Sequence, residues 1–230
     1  MITDPSLIYI QSSISAYLQD RFFVRETGNI PDYIVNYTKE EGGNKNLVMF
    51  DLQVNKERTR ISLTISTRKR YDLIESFLTD EDLKKMQDAR SERYTLHLAS
   101  LYLDGAMFIE ENTLVEVDAF VKRLISFLEE KVLPTLQEYD DVRKMDLVVN
   151  EQLEGVKLIW ATNYWYYKMI IAKLAGNPMY EELARMVLLR FKNGMEKYPQ
   201  VQKYKDYFLI AEKLYEKLKK IEPLKNPVLT

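Results

Sequence analysis

One stretch of the sequence, residues 93–131, restricts the fold more than any other. It holds two short β-prone runs on either side of Asp104-Gly105, followed by a long amphipathic segment. Asp-Gly between two such runs is a strong signal for a β-hairpin, because glycine readily adopts the positive φ angles of primed turns. Beyond the hairpin the apolar period changes from two residues to about 3.6, which predicts a helix over 113–131 that lies against a sheet.

Earlier runs supply the rest of that sheet. An amphipathic helix is predicted over 6–20, and three stretches of alternating apolar and polar residues follow it. The pattern is clearest in the third, where Ile61, Leu63 and Ile65 are expected to point inward and the polar residues between them outward. The predicted strands cover about 33–38, 47–54 and 61–66, with a turn at 41–44 and two helical pieces at 71–78 and 80–89.

These elements predict an α+β domain over residues 1–139. Its order is α-β-β-β-α-β-β-α, with an antiparallel sheet of about five strands and helices on one face. Residues 140–230 show no strand pattern and are predicted to form an all-α antiparallel extension of about three helices.

Helix-breaking residues separate the helices of this extension. Gly176-Asn177-Pro178 is expected to end one helix and begin the next, with Asn177 as the cap. Tyr198-Pro199 separates the last two helices, and the tail after Pro223 is expected to be loose. The predicted helices cover about 150–175, 178–198 and 200–221.

The composition excludes several kinds of site. The 230 residues contain no cysteine and a single histidine, His97. Disulfides, thiolate metal sites, cysteine nucleophiles and His-rich metal sites are therefore excluded. The formal net charge of -2 gives no overall field that would attract nucleic acid or an anionic membrane. The sequence shows neither a signal-peptide pattern nor a bilayer-spanning apolar run, which predicts a cytoplasmic protein without a membrane partner.

No residue pattern predicts catalysis. His97 falls in a predicted strand without a recognisable acid–base partner, and we interpret it as structural. The acids of Thr79-Asp80-Glu81-Asp82 could suggest a metal site, but capping of a helix N-terminus explains them better. No phosphate loop, nucleophile elbow or kinase motif occurs. The sequence predicts no catalytic residue, no cofactor and no metal, and hence a protein that is not an enzyme.

The predicted helix at 150–175 is unusual because it is apolar nearly all round. Trp160, Tyr164 and Tyr167 fall on one stripe, and Trp165 falls on a second. Such a helix is either central in a helical layer or shared with a partner. Because Trp and Tyr dominate interface hot spots, these four are the predicted partner-binding residues, either for another polypeptide or in a homodimer.

Lysines give the last predicted helix a basic appearance. They are interleaved with Asp206, Glu212 and Glu216 over an apolar seam. A surface that follows phosphates needs clustered cations without opposing acids, so a solvated face is the better interpretation and a nucleic-acid partner is not favoured.

The strand-turn-strand-helix unit around Leu101-Tyr102-Leu103-Asp104-Gly105 resembles the type III secretion chaperone-like fold. The element order over residues 6–133 is also similar to that of the bacterial family of putative sensory transduction regulators. The resemblance implies non-enzymatic α+β proteins that often dimerise and bind other polypeptides. This chain differs from them in adding the helical region from about residue 140 to 221.

Three functions stay open on this basis. A non-enzymatic protein-binding or chaperone-like module, with a regulatory role as one form of it, is favoured by the aromatic helix and the lack of catalytic motifs. A nucleic-acid-associated regulator would show one continuous basic face in the folded chain. An enzyme using Asp, Glu, Tyr and Lys residues outside any recognisable motif would show a deep pocket with converging groups of shifted pKa.

Overall fold

The computed structural model describes residues 5–26, 34–54, 61–86, 95–98, 107–109, 114–150 and 164–229, and it confirms the α+β class. The strands are β1 Val24–Arg25, β2 Ile34–Glu41, β3 Asn44–Val54, β4 Ile61–Tyr71, β5 Leu96–Leu98 and β6 Met107–Ile109. The helices are α1 Pro5–Gln19, α2 Asp72–Glu75, α3 Asp80–Lys85, α4 Leu114–Phe127, α5 Leu133–Glu138, α6 Val142–Asn150, α7 Tyr164–Ala175, α8 Tyr180–Lys197 and α9 Gln202–Leu218.

The chain divides into two compact units. Unit 1 comprises Met1–Glu41, Lys45–Lys69 and His97–Gln137. Unit 2 comprises Gly42–Asn44, Arg70–Leu96 and Glu138–Thr230. The boundary predicted near residue 139 lies next to Glu138, where the last segment of unit 2 begins. Unit 2 also draws in residues 70–96, which the sequence pattern assigns to the first domain.

The strands form one sheet in the order β1-β2-β3-β4-β5, and β6 also pairs with β4. β1 runs antiparallel to β2, with Val24 opposite Thr38, and β6 runs antiparallel to β4, with Met107 opposite Leu63. The predicted count of five strands and the exact element order are not confirmed, because the short β1 precedes the first predicted strand. The predicted Asp104-Gly105 turn lies outside the described residues.

The connection between β2 and β3 is a two-residue hairpin loop. Gly42 has a φ of 58° and Gly43 a φ of 81°. Two consecutive positive φ angles are typical of the primed turn whose twist matches that of the flanking strands, and only glycine adopts them freely. The turn predicted at 41–44 is therefore confirmed.

Alternating burial along the long strands confirms the predicted inward face. Val35 and Tyr37 in β2 and Leu63 and Ile65 in β4 are buried, whereas Thr64 is exposed. One face of the sheet is thus apolar and packed, as the period of two requires. In β3 the buried residues are Leu47, Val48, Phe50 and Leu52.

Strand β4 continues to Tyr71, past its predicted end at residue 66. The inward positions Thr67, Lys69 and Tyr71 are buried, although the first two are polar. The Nζ of Lys69 donates a hydrogen bond to the main-chain carbonyl of Leu136, 2.5 Å away. Apolar periodicity misses this half of the strand, because the buried amine finds its partner far away in sequence. The helix predicted over 71–78 is wrong in extent, because β4 runs through Tyr71 and α2 covers only the four residues Asp72–Glu75.

Leu63→Ala is expected to lower the free energy of unfolding by about 2–5 kcal/mol, because it removes methyl groups from the buried face of β4. Thr64→Ala, beside it on the exposed face, should cost under about 1 kcal/mol. Urea unfolding followed by far-UV circular dichroism measures both changes. Equal losses at the two positions would show that the faces are assigned wrongly.

The core of unit 1 includes the packed faces of α1 and α4, which contact each other. Tyr9 on α1 also donates its hydroxyl to the carboxylate of Asp118 on α4, at 3.1 Å. Proline normally kinks or ends a helix, but after the π-helical turn Leu128–Val132 the helix continues through Pro134. The buried residues of α1 are Leu7, Ile10, Gln11, Ile14, Tyr17 and Leu18, and those of α4 include Val117, Phe120, Val121 and Leu124.

In unit 2, α7, α8 and α9 contact one another, and α6 packs against α7. The predicted helix at 150–175 is described from Tyr164 onward as α7, and α6 ends at Asn150. Residues 151–163 lie outside the described part of the chain. The described part of the predicted extension is helical, but it holds four helices, α6 to α9, where about three are predicted.

Gly176 ends α7 as predicted. Its φ is 72°, its amide bonds to the carbonyl of Lys173, and the amide of Asn177 bonds back to the carbonyl of Ala172. This pair of bonds is the Schellman arrangement, which glycine favours because it has no Cβ to clash. The side-chain oxygen of Asn177 then accepts from the amide of Met179 at 2.7 Å. Asn177 is not the predicted helix cap, because α8 begins at Tyr180 with Met179 as its N-cap residue, and the Asn177 side chain instead closes the turn that precedes the helix.

The expectation of a loose tail after Pro223 is wrong. The amide of Leu224 donates to the carbonyl of Leu174 at 2.9 Å, and the amide of Leu229 donates to the carbonyl of Asp140 at 2.8 Å. In return, the amide of Val142 donates to the carbonyl of Pro227 at 2.8 Å. The Leu229 side chain is only 6% exposed. Main-chain pairing and one buried leucine therefore fix the segment, and neither leaves a periodic pattern in a sequence this short.

Candidate functional site

The structure places the predicted partner-binding residues of α7 in two different environments. Tyr164 and Tyr167 are buried within unit 2. The hydroxyl of Tyr164 donates to the carbonyl of Val149 at 3.1 Å, and that of Tyr167 lies 2.9 Å from both carboxylate oxygens of Glu75. These two tyrosines are interior residues that join α7 to its neighbours. Trp160 lies outside the described residues.

Trp165 differs from the tyrosines on either side of it. Its side chain is partly exposed and lies on the surface of unit 2, where Arg190 of α8 is placed over its ring. There it lines an open groove of about 740 Å³. We call this surface the aromatic groove, and its described lining residues are Trp165, Met186, Leu189, Arg190, Phe191, Asn193, Gly194, Lys197, Tyr204 and Tyr207.

The floor of the groove consists of three lining rings, Phe191, Tyr204 and Tyr207, which contact one another and two further rings outside the lining. Phe191 stacks on Tyr166 with ring centroids 5.1 Å apart and lies 5.8 Å from Tyr207. Tyr204 meets Tyr207 edge to face at 6.4 Å and stacks on Tyr198 at 5.2 Å. Rings held this way have little rotational freedom left to lose on binding, so the floor is organised before any ligand arrives.

A glycine allows α8 and α9 to approach closely at one end of the groove. Gly194 lies inside α8, where glycine weakens a helix by roughly 1 kcal/mol relative to alanine. A Cβ at this position would stand 3.1 Å from Cδ1 of Tyr204, tighter than an ordinary van der Waals contact. The missing side chain therefore leaves space for the Tyr204 ring against the helix.

Exposed apolar side chains form one wall of the groove. Met186 is 45% exposed and Leu189 is 55% exposed, both on α8. Single exposed apolar residues are common on protein surfaces, but these two lie together beside an aromatic floor. A partner that covered them would remove apolar area from water, which is favourable at roughly 25 cal/mol per Å².

The charged residues described in the lining are both cations. The guanidinium carbon of Arg190 lies 4.3 Å from the centroid of the Trp165 ring, and Lys197 places its Nζ 5.4 Å from the ring of Tyr198. A cation over an aromatic face is attracted by the ring quadrupole, so both side chains have a preferred position. No carboxylate appears among the described lining residues.

Sequence reasoning found one residue of this site, Trp165, and missed the rest. A signal was present: Met186, Arg190 and Lys197 recur along α8 at helical spacing, and Tyr204 and Tyr207 follow on α9. Apolar residues on a surface helix are normally assigned to the core face. Their exposure becomes visible only once the neighbouring helices are in place.

The acidic cluster at residues 79–82 is a helix cap, as predicted. Thr79 and Asp82 form a reciprocal capping box at the start of α3. Asp82 is also bonded by Lys213 of α9, at 3.1 and 3.2 Å from its two carboxylate oxygens. Burial opposes ionisation of Asp82, but the bonds from Thr79 and Lys213 outweigh it and lower the pKa of the carboxyl.

Asp82→Asn is expected to destabilise unit 2 more at pH 7 than at pH 3. Because the pKa of Asp82 is lowered in the folded state, its contribution is complete above the unfolded value of about 3.9 and is lost as pH falls through the folded value. The measurement is urea unfolding by tryptophan fluorescence at a series of pH values. Lys213→Met should reduce the same pH dependence. An effect of Asp82→Asn that is constant with pH would contradict this account.

A second buried charge lies on α7. Lys168 is only 4% exposed, and its Nζ is 5.0 Å from the centre of the Tyr164 ring. Burial lowers the pKa of this amine, while the nearby carboxylate of Asp146 opposes the shift. Asp146 itself accepts from the side-chain amides of Asn150 and Asn177, at 2.5 and 2.6 Å. This cluster ties α6 to the loop that follows α7.

Three further features that would bear on function are a metal site, a membrane-spanning helix and the single histidine. No group of three or more His, Asp or Glu residues is placed there to hold a metal ion. Among the described helices, none has both the length and the apolar character of a bilayer span. His97 lies in β5. Its structural role stays a prediction.

No protein-family model, curated protein or solved structure matches this chain. The resemblance to the type III secretion chaperone-like fold therefore stays a prediction. The aromatic groove is the feature from which a function can be inferred.

Proposed function

We propose that the protein is a non-enzymatic binding module and that unit 2 holds a segment of another polypeptide in the aromatic groove. The observation that carries the proposal is an open groove with a preorganised aromatic floor beside two exposed apolar side chains, Met186 and Leu189. Large rigid aromatic rings are the residues that dominate protein–protein hot spots. Burial of apolar surface would supply the affinity.

The lining residues favour binding over catalysis. The groove has the volume of a small-molecule site, but its described lining lacks a carboxylate, so general acid–base work would depend on Lys197 or the tyrosines. The shifted pKa values of Asp82 and Lys168 belong to groups that are not among the lining residues. An enzyme is therefore the weaker alternative.

A neutral amphipathic peptide of about 15 residues, with Leu and Phe on one helical face and Gln on the other, is the probe that tests binding. Because the chain has two tryptophans, Trp160→Phe leaves Trp165 as the only indole reporter. We expect a saturable change in Trp165 emission on titration. Leu189→Ser in the groove should weaken binding about tenfold.

Leu147→Ser is the matched control, because Leu147 is also an exposed leucine of unit 2 but is not among the lining residues. It should bind the peptide like the parent. Unchanged emission up to millimolar peptide, or equal effects of the two variants, would contradict the proposal. A concentration-dependent dimer in light scattering that Leu189→Ser abolishes would assign the groove to a second copy instead.

A second candidate ligand is single-stranded nucleic acid, and one observation favours it. Cations alternate with rings along this surface, since Lys197 lies over Tyr198 and the Nζ of Lys203 is 5.5 Å from the Tyr207 ring. Stacked bases and a basic track are how such ligands are held. The small number of cations and the net charge of -2 place this candidate second. Labelled oligo(dT) that binds more tightly than the peptide would reverse the order.

Three further features belong to the proposal. A chaperone-like or regulatory role fits a module that captures a polypeptide without transforming it. A cytoplasmic location fits a chain of 230 residues that uses no cysteine. Homodimerisation stays an option, which the light-scattering measurement decides.

A further inference from the structure

The two cations of the groove have no carboxylate partner in the described part of the chain. Among the described residues, their charged groups lie over aromatic rings, Arg190 at 4.3 Å and Lys197 at 5.4 Å from the ring centres. On the same helix, Lys192 does have a partner, Glu196, with 3.9 Å between Nζ and the carboxylate oxygen. The groove thus keeps two positive charges available beside an apolar floor.

The guanidinium carbon of Arg190 lies 4.3 Å from the centroid of the Trp165 ring, and its N–H groups make no hydrogen bond within the described part of the chain. A guanidinium that lies over a ring still presents its N–H groups in its own plane, where a carboxylate can accept two of them. Lys197 offers a compact ammonium with three donors. Both side chains are therefore suited to anionic groups at the rim of an apolar contact.

The spacing of these cations sets a distance for the partner. Arg190 and Lys197 are seven residues apart on α8, so they lie on one face of the helix. Seven residues at a rise of about 1.5 Å correspond to roughly 10.5 Å along the axis. A second helix lying along α8 would match this spacing with carboxylates at positions i and i+7 of its own sequence.

We propose that the aromatic groove selects an acidic amphipathic helix of a partner protein, an inference that rests on the proposed function. The helix presents apolar side chains to the aromatic floor and two carboxylates, about two turns apart, to Arg190 and Lys197. A groove flanked by α8 and α9 suits a helical ligand, because amphipathic helices lay an apolar face into such grooves. Charge complementarity between its carboxylates and the two cations of the groove would favour an acidic helix over a neutral one.

Three labelled peptides of about 15 residues test the inference by fluorescence anisotropy. All carry the same Leu and Phe face. The first has Glu at i and i+7, the second has the same composition with Glu at i and i+9, which lie on opposite faces, and the third has Gln in place of both. We expect the first to bind about tenfold more tightly than the others at about 0.05 M salt, and the advantage to shrink at about 0.5 M.

The double variant Arg190→Gln/Lys197→Gln should remove this advantage, so that the three peptides bind it with equal affinity. Lys192→Gln, which removes a paired cation from the same helix, should keep it. Equal affinity of all three peptides, together with loss of binding in Leu189→Ser, would overturn the inference and leave the proposed function standing. Absence of binding by every peptide would overturn both. Tighter binding of oligo(dT), abolished by the double variant, would overturn the acidic helix in favour of nucleic acid.

Discussion

Phe120→Ala is expected to lower the free energy of unfolding of unit 1 by about 3–5 kcal/mol. Phe120 is fully buried on α4, the helix that packs against α1, so its removal leaves a cavity that the neighbouring side chains can fill only in part. Far-UV circular dichroism during urea unfolding is the measurement. The tryptophans lie outside unit 1, so their fluorescence follows the other unit separately.

Lys122→Ala on the same helix is the matched control. Its ammonium pairs with Asp118 at 2.8 Å on the surface, an i,i+4 pair that solvent screens and that adds little to stability. A loss at Phe120 as small as the loss at Lys122 would show that α4 does not lie in the core.

Ending the chain at Pro223 is expected to destabilise unit 2 by about 3–5 kcal/mol. The truncation removes the buried Leu229 side chain, the bonds between residues 227–229 and 140–142, and the bond from Leu224 to Leu174. Tryptophan fluorescence during urea unfolding reports the change. A flexible tail would leave the midpoint unchanged.

Two single substitutions separate the contributions to this effect. Leu229→Ala should account for about half of the loss, because it creates a cavity but keeps the main-chain bonds. Val228→Ala should cost under about 1 kcal/mol, because Val228 is 42% exposed. Equal costs at the two positions would contradict the burial of Leu229.

Regular periodicity accounts for the parts of the fold that the sequence predicts well. The α+β class, the inward face of β4 through Ile65 and the Gly42-Gly43 turn all depend on neighbours in sequence. Lys69 and Leu229 depend on partners far away in sequence, the carbonyls of Leu136 and Asp140 among them. Local patterns carry no record of such bonds, so the second half of β4 and the final segment were assigned wrongly.

The groove could be predicted only in part for a related reason. The aromatic excess around Trp165 marks the correct helix, but it cannot separate the partly exposed Trp165 from the buried Tyr164 and Tyr167. The difference in exposure depends on which side of α7 is covered by its neighbours, α8 and α9 among them. Arg190 and Tyr204 join the site through tertiary packing, which a single helical period does not encode.

Unit 2 is assembled from segments that lie far apart in the sequence, and this affects how the chain folds during synthesis. Its residues 70–96 are synthesised before residues 138–229, and at about 5–20 residues per second the last of these follows residue 96 by roughly 7–27 seconds. During that time side chains such as Ile74 and Leu83, buried in the finished unit, have no α7 or α9 to cover them. During synthesis the nascent chain therefore exposes apolar side chains that favour aggregation. We expect a holdase chaperone, or expression at a lower temperature, to raise the yield of native protein. A fragment that begins at residue 140 would lack these side chains altogether.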